Sequence, residues 1–499
     1  MYKKTSYMNQ SIQISLFKKE IKFSDYKWRQ IDIFVKRVQQ KIYQASLSGN
    51  SKELHDYQKV LINSKSTKYY SLKKLIYSNN DFSHLDDLYS IMKSIEYLNF
   101  NNLAELSYIN FLKYRNLKKK TATFKDLVLQ NLVLVILEPE WEARLELSSY
   151  SFKNGNFIRQ AIVKTHSILA NNSYYTDATS IYCQINLLSS NLNTYAILKK
   201  AKFSPLFVNQ LSAWISADYL EIYEKNLNYR FQYSCIYSFG QNNIAFLIAD
   251  IILYGLEYSI EWYCKNKFDK YSRFSNIEFK FIRCANQILI LLENHNLDIV
   301  NSIIIAIKRF LELIDIPLDN SIFTISSVNN GFDFLGYNFK RYKNYKSWNL
   351  EMSRIIILPS SKNIKKHFRS IKQCLYHKDK LNRWRANSQM RQDDVIEKLN
   401  PIIYNFSMYY RYFVPFRILK EIDWILNEII YRYAIKKYKT AKYQKWFINW
   451  NKIVDSKKVI AYYNHLSKTY ILLKFHTDPI SNQRRILPQY YNYYSRFNT

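Results

Sequence analysis

The sequence predicts a predominantly helical α/β chain that carries a small antiparallel sheet and ends in a basic helical region. Three observations lead there. Most long segments repeat apolar residues at helical spacing. One stretch, FIRCANQILIL at residues 281–291, instead reads apolar run, short polar step, apolar run, the outline of a tight β-hairpin. The charge is the third: 73 basic against 40 acidic residues give +33, and residues 331–499 alone hold 33 Lys/Arg against 11 Asp/Glu. So uneven an excess points to a polyanionic partner, most often nucleic acid.

In chain order, residues 28–75 form helices, with Ile31, Phe34, Val35, Val38, Ile42 and Ala45 on one face and a break at Gly49-Asn50. Residues 79–120 are polar and mostly helical. FKDLVLQNLVLVILEPEWEARLEL, from residue 124, makes another helix, with Pro139 just past its apolar stretch, and SSYSFKNGN is a loop. Short strands are expected at 180–188 and 228–237, one buried helix at about 243–260, then the hairpin, a helix at 298–315 and a strand-like GFDFLGYNF bounded by glycines. From residue 360 onward the pattern is helical. Leu358-Pro359-Ser360 is the best boundary, and the division reads 1–120, 121–345 and 346–499.

Composition excludes several classes. The apolar content of 48% fits a globular protein with large cores. Five cysteines (183, 235, 264, 284 and 374) lie scattered with no CxxC pair, so neither a zinc ribbon nor a disulfide framework is expected. The first residues lack an apolar core of signal-peptide length, and the most apolar window contains Asp250 and Glu257, which suits a core helix better than a membrane span. Tyr, Phe, Ile, Asn and Lys abound, as in an A/T-rich genome such as an organelle's. Glycine occurs only 6 times.

Several stretches together resemble the group II intron-encoded reverse transcriptase/maturases. EPEWEARLELSSYSFKNG is similar to that family's segment ending in a Ser-Tyr-Gly-Phe-Arg-Pro-Gly loop. GFDFLGYNFKRY resembles the stretch closing its palm, and LPSSKNIKKHFRSIK the start of its thumb. IEKLNPIIYNFSMYYRYF and YRYAIKKYKTAKYQKW resemble its maturase, or X, domain, and the helices at 28–75 its N-terminal extension. All six glycines (49, 155, 240, 255, 331, 336) fall at or beside positions where the family uses glycine. The resemblance implies a degenerate fingers and palm with a small antiparallel sheet, followed by a helical thumb and X-like domain.

The family carries an aromatic-Ala-Asp-Asp box at the palm hairpin turn, and Cys284-Ala285-Asn286-Gln287 aligns with it. The third family carboxylate, on an earlier strand, falls on Asn186. Polymerases need clustered carboxylates to hold two metal ions. Neutral amides offer oxygen but neutralise no charge. The resemblance therefore implies no polymerase activity, no metal and no cofactor. Asp86-Asp87 and Asp393-Asp394 read as helix-end charges. The family's primer-site loop is reduced to Phe239-Gly240-Gln241, and no Cys follows residue 374, which argues against a Cys/His endonuclease domain.

Binding chemistry remains. In SSKNIKKHFRSIKQCL, Lys362, Lys365, Lys366, Arg369 and Lys372 share one helical face, Ile364, Phe368, Ile371 and Leu375 fall on the other, and Ser361 is placed to cap. A solvated lysine face is the plain alternative. Five like charges with no acid among them are easier to explain against phosphates. In YRYAIKKYKTAKYQKW, Arg432, Lys436, Lys437, Lys439, Lys442 and Lys445 interleave with Tyr431, Tyr433, Tyr438, Tyr443 and Trp446. Aromatic faces stack on unpaired bases, or else simply fill the core. Arg411, in MYYRYF, reads as one exposed cation on a packed helix.

The expectation is thus a catalytically inactive, maturase-like protein that holds intron RNA in a plastid, with the mitochondrion as the alternative compartment. Degenerate maturase-like proteins of euglenoid plastids, including the ribosomal-operon-associated kind, supply the rival reading: attachment to ribosomal RNA with no splicing role.

Overall fold

The computed structural model describes residues 28–78, 124–150, 157–171, 178–185, 211, 243–268, 279–293, 296–316, 321–344, 352–438, 440–454, 457–464 and 469–478. Those up to Leu335 belong to one compact unit and those from Gly336 to a second. The helices expected at 79–120, the strand expected at 228–237, the Phe239-Gly240-Gln241 loop, Asp86-Asp87, Asn186 and Lys439 lie outside the described residues.

In the first unit, α1 (28–47) ends at Gly49, whose φ of +70° turns the chain at no steric cost. Helices α2 (Ser51–Asn63) and α3 (Lys65–Ser78) follow, with the Asn50 side chain accepting from Glu53 N at 3.3 Å as an N-cap. They pack on α4 (Phe124–Arg144), which contains Pro139 rather than ending near it. A proline in a helix interior leaves the carbonyl four residues earlier without its partner. Here that carbonyl, Val135 O, accepts from the Gln39 side chain of α1 at 2.7 Å. Gln58 of α2 donates to the buried Glu140 carboxylate at 2.6 Å.

After α5 (Phe157–Asn171) comes a four-stranded antiparallel sheet ordered β2-β3-β1-β4. Its strands are β1 (Thr179–Ile185), β2 (Phe279–Cys284), β3 (Gln287–Leu292) and β4 (Ser321–Ser327). The hairpin read from residues 281–291 is β2–β3. Cys284 pairs with Gln287, so the turn is only Ala285-Asn286, with Gln287 opening the strand. Ala285 takes φ +52°, a conformation that ordinarily selects glycine. The single helix expected at 243–260 is two, α6 (Asn243–Leu253) and α7 (Leu256–Phe268), because Gly255 at φ +84° breaks it. Helix α8 (Leu297–Leu313) packs on α7 and is capped by Asn296. The GFDFLGYNF stretch is also broken. Leu335 and Gly336 both have positive φ, separating β5 (Phe332–Phe334) from β6 (Tyr337–Asn344).

A buried charge organises this unit. Arg283 is 1% exposed, and its guanidinium reaches Asp250 Oδ1 and Glu146 Oε2, each at 3.1 Å. Glu146 Oε1 in turn accepts from Gly255 N at 2.5 Å, at the break between α6 and α7. The Arg283 backbone donates to Ser148 O at 2.9 Å and accepts from Tyr150 N at 2.8 Å. The loop after α4 thereby covers the outer edge of β2, which would otherwise present unpaired ladder groups.

The second unit opens with the antiparallel pair β6–β7 (Met352–Pro359) and runs into α9 (Ser361–Leu375). A short hairpin follows, β8 (Tyr376–Lys378) with β9 (Trp384–Ala386), then α10 (Gln392–Tyr410), α11 (Phe416–Lys437) and the short α12 (Lys442–Lys445). A π-helical turn, Trp446–Trp450, leads to an antiparallel sheet of β10 (Asn451–Val454), β11 (Lys457–Asn464) and β12 (Thr469–Leu472). The region expected to be purely helical is therefore mixed. Its strands are short and Lys/Tyr-rich, without a long apolar alternation to announce them. The expected helix-end role of Asp393-Asp394 holds: both lie in the first turn of α10, and Asp394 Oδ2 accepts from Arg391 N at 3.3 Å.

Buried imidazoles tie this unit together. His367 of α9 stacks on Phe406 of α10 with ring centroids 4.1 Å apart. Its Nε2 lies 2.8 Å from His476 Nε2, and His476 Nδ1 lies 2.6 Å from Asp423 Oδ1 of α11. Asp423 also accepts from the backbone N–H of His476 (2.7 Å) and of Thr477 (3.1 Å), while Ser407 donates to His476 O at 2.7 Å. Three helices and the segment after β12 thus meet at one relay. Burial, and then His476, push His367 well below the usual histidine range. Burial would raise Asp423, but the His476 contacts and the Thr477 hydrogen bond outweigh it and hold the carboxyl low.

Two outcomes follow. Replacing Arg283 by Met removes the guanidinium from the buried Asp250 carboxylate and is expected to cost about 3–5 kcal/mol, with Asp250→Asn in the same chain restoring part of it. Urea unfolding of the single and double variants measures this. His367 stays neutral when folded and takes a proton near 6.5 when unfolded. The unfolded state then binds more protons below that pH, so stability falls as pH drops from about 7 toward 5, by up to about 1.4 kcal/mol per unit. Asp423, held low, contributes stability above its unfolded value of 3.8 and loses it only at lower pH. In His367→Gln the pH 5–7 slope should flatten by about one proton. An unchanged slope would show that folded His367 titrates normally.

Candidate nucleic-acid interface

Helix α9 starts where the β6–β7 pair delivers it. Ser360, not Ser361, is the N-cap, accepting from Asn363 N at 3.3 Å. Asn363 Nδ2 donates to Tyr410 Oη at 2.8 Å, and Tyr410 Oη donates to Gly336 O at 3.0 Å. A Cβ on Gly336 would collide with Asn363 Nδ2, and its φ of +78° also favours glycine. The start of the basic helix is therefore keyed to the start of β6.

The inward stripe of α9 is Asn363, His367, Ile371 and Leu375, with Ile364 and Phe368 only half-buried. Two polar residues expected at neither face thus lie in the core. Outward, Lys362, Lys365, Arg369 and Lys372 are exposed, and none makes an ion pair among the described residues. Lys366 is half-buried; burial first, then the neighbouring Lys362, lowers its ammonium pKa from the usual lysine value. The cationic face is real, and the relay beneath it fixes its position.

The second basic element is less uniform. Arg432 is exposed but lies 3.4 Å from Glu428, an acid one turn earlier on the same face. Lys436 is exposed and sits over the Tyr376 ring at 5.6 Å. Lys437 is half-buried, and its ammonium donates to Met390 O; burial lowers its pKa, against a smaller opposing pull from Asp393 and Asp394. Lys442 is exposed, whereas Lys445 lies over the Tyr438 ring at 5.5 Å. The aromatics mostly fill the core. Tyr433 and Trp446 are buried, Tyr431 and Tyr438 half-buried, and only Tyr443, 64% exposed, offers a free face. Arg411 is not an exposed cation. It is half-buried at the C-terminus of α10, with its guanidinium on the carbonyls of Thr477 (3.3 Å) and Asp478.

In the first unit, the β2–β3 turn abuts the end of β1, since Ile185 N donates to Asn286 O at 2.9 Å. Gln184 of β1 pairs with Gln287. Asn286 is buried, and Cys284 and Ala285 beside it are also buried. Neutral amides are the donors at this corner, a poor fit for two divalent ions. No group of three or more His, Cys, Asp or Glu side chains among the described residues is placed to hold a metal. Burial pushes the nearby Cys183 thiol up to about 12, so it stays protonated. No helix among the described residues is long and apolar enough to cross a membrane.

Comparison with known proteins agrees with this layout. The family description "Group II intron, maturase-specific domain" matches residues 375–450, from the end of α9 through the π-helical turn. "N-terminal domain of reverse transcriptase" matches residues 23–82, which contain α1 to α3. "Maturase-like protein 1" of Euglena longa is 23% identical over 403 residues, covering 77% of each chain. A maturase-specific match and a reverse-transcriptase N-terminal match thus fall in two separate regions of the chain, and a maturase-like relative is similar over most of its length.

Proposed function

We propose that this is a catalytically inactive, maturase-like RNA-binding protein that holds group II intron RNA in its active fold, acting in an organelle and specifically the plastid. The observation that carries this reading is the outward face of α9. Four exposed cations without acidic partners among the described residues repel one another, yet the helix beneath them is locked by the relay. Phosphates laid against that face would relieve the repulsion. The maturase-specific match begins at the last residue of this helix. The Euglena relative, itself named maturase-like, supports the organelle assignment. Inactivity rests on Asn286, Gln287 and Asn186, amides where the family uses metal-binding carboxylates. In splicing, the RNA would supply the chemistry.

Three measurements bear on it. Purified protein given primed RNA, nucleotides and Mg²⁺ or Mn²⁺ should not extend the primer; template-dependent extension, lost on mutation beside the β2–β3 turn, would sink the inactive reading. RNA binding should weaken with salt at a log–log slope of about −3.5 to −4.5 if five phosphates are neutralised. Changing Lys365, Lys366 and Arg369 to Glu together should flatten that slope, and an unchanged slope in a folded variant would mean the face is merely solvated. Crosslinking from Arg432, Lys436 and Lys437 in the native compartment should recover intron segments. A predominance of ribosomal RNA, with splicing normal in a depleted strain, would instead favour the ribosome-associated role.

A further inference from the structure

The β8–β9 hairpin lies between α9 and α10, in a region whose residue pattern predicts helix. Its turn is built by Asp379 and Asn382. Asn382 N donates to Asp379 O and Asp379 N to Arg383 O, both at 2.9 Å, and Asn382 takes φ +62°. This is a three-residue loop with an asparagine in the left-handed position, which Asn tolerates better than most residues. Asp379 Oδ1 caps it, accepting from Leu381 N at 3.0 Å and Arg383 N at 2.9 Å. Oδ2 is left for two guanidinium groups: Arg383 Nε at 3.0 Å and Arg385 Nε at 3.1 Å.

One carboxylate therefore holds two arginines side by side through the same nitrogen of each. Their side chains are still 58% and 54% exposed. The Nη groups of both make no bond among the described residues. The backbone N–H of Arg383 is the main reason that Asp379 sits below the usual carboxylate range, with both arginine side chains adding to it. It stays ionised at neutral pH, and its own acceptors are already engaged. Arg385 shares one face of the ribbon with His377, its cross-strand partner, while Trp384 and Lys378 occupy the other. Lys380 at the tip is exposed, and β8 continues directly from the basic α9.

We propose that Arg383 and Arg385, oriented by Asp379, form a phosphate-binding fork for the RNA backbone. It rests on the RNA-binding reading given above and adds a specific contact to it. Exposed arginines ordinarily lose rotamer freedom when they bind a phosphate. Here both Nε atoms are already fixed, so the paired Nη edges present a ready bidentate surface. An acidic protein could meet the same edges, but the continuation into the lysine face of α9 suits a repeating polyanion better.

The test measures binding of the full-length protein to a short fluorescent RNA hairpin across a potassium chloride series. Asp379→Asn keeps an oxygen to cap the turn but turns an amide toward the guanidinium groups. On charge alone, removing an acid should tighten RNA binding. The fork predicts the opposite, a loss of about threefold to tenfold. Arg383→Lys with Arg385→Lys keeps the charge and should show a similar loss. Arg383→Gln with Arg385→Gln should lower the salt slope by about 1.4 to 1.8. Tighter or unchanged binding by Asp379→Asn, or wild-type binding by the double lysine variant, overturns the proposal. Equal competition by polyglutamate of matched charge also overturns it, in favour of an acidic protein partner. The Lys365/Lys366/Arg369 triple Glu variant separates the two ideas. If it loses binding while the fork variants do not, only the fork is wrong. If no variant changes binding, the RNA reading fails with it.

Discussion

The C-terminal unit depends on a buried proton-sharing contact. A hydrogen bond between two imidazole Nε2 atoms requires one ring to donate and the other to accept. Asp423 takes the Nδ1 side of His476 and leaves its Nε2 to face His367. The relay is anchored by a carboxylate on a different helix from the one that carries the basic face. Apolar residues at these positions would pack, but would not specify which turn of α9 meets α10 and α11. A polar relay in a dry core has few alternative registers, because a slip by one residue would strand several buried hydrogen-bonding groups. That is how a helix with five cations on one side is kept in place.

The N-terminal unit uses the same device with different chemistry. Arg283 lies in the strand leading to the β2–β3 turn, and its charge is met by carboxylates from α6 and from the loop after α4. Pro139 opens a carbonyl that Gln39 fills, and Gly255 opens a helix break whose N–H Glu146 fills. Each departure from regular helix has a named partner elsewhere in the unit. The scaffold around the turn is thus fully supported, while the turn itself carries amides. The groups that hold this scaffold together, Arg283, Asp250 and Glu146, are distinct from the residues of the turn itself.

Much of this was legible in the sequence where one local rule acts alone. The hairpin at 281–291 shows itself because apolar runs of strand length flank a short polar step, Ala285-Asn286-Gln287, although Gln287 proves to open the second strand. The α9 cations show themselves because their spacing matches a helix and no acid interrupts it. What stayed hidden depends on distant partners. Nothing local says that Asn363 and His367 face inward, since their partners, Tyr410 and His476, are 47 and 109 residues away. The break at Gly255 is masked in the sequence because apolar residues continue on both sides of it. Arg411 looked exposed because the carbonyls that hold it lie more than 60 residues on. The β8–β9 hairpin did leave a signal, Asp379-Lys380-Leu381-Asn382, in which two turn formers flank a two-residue step.

The two basic elements also differ in kind. On α9 the exposed Lys362, Lys365, Arg369 and Lys372 make no ion pair among the described residues and sit on flexible stems, so their attraction for a polyanion is strong and weakly oriented. On the hairpin an acid is present, and by net charge alone it weakens the site. Its effect on geometry runs the other way, because it removes the rotational freedom that makes exposed arginines poor at directional recognition. A surface that must hold a folded RNA needs both properties: long-range attraction to gather it and a few fixed contacts to set its register. Helix α9 ends at Leu375 and β8 begins at Tyr376, so the diffuse and the directional element follow one another without a linker. The aromatic side chains between the later basic residues serve a third purpose. Tyr433, Trp446 and Trp450 make the core against which α11 and the C-terminal sheet pack, so the alternation of basic and aromatic residues there records one face for solvent and one for the interior.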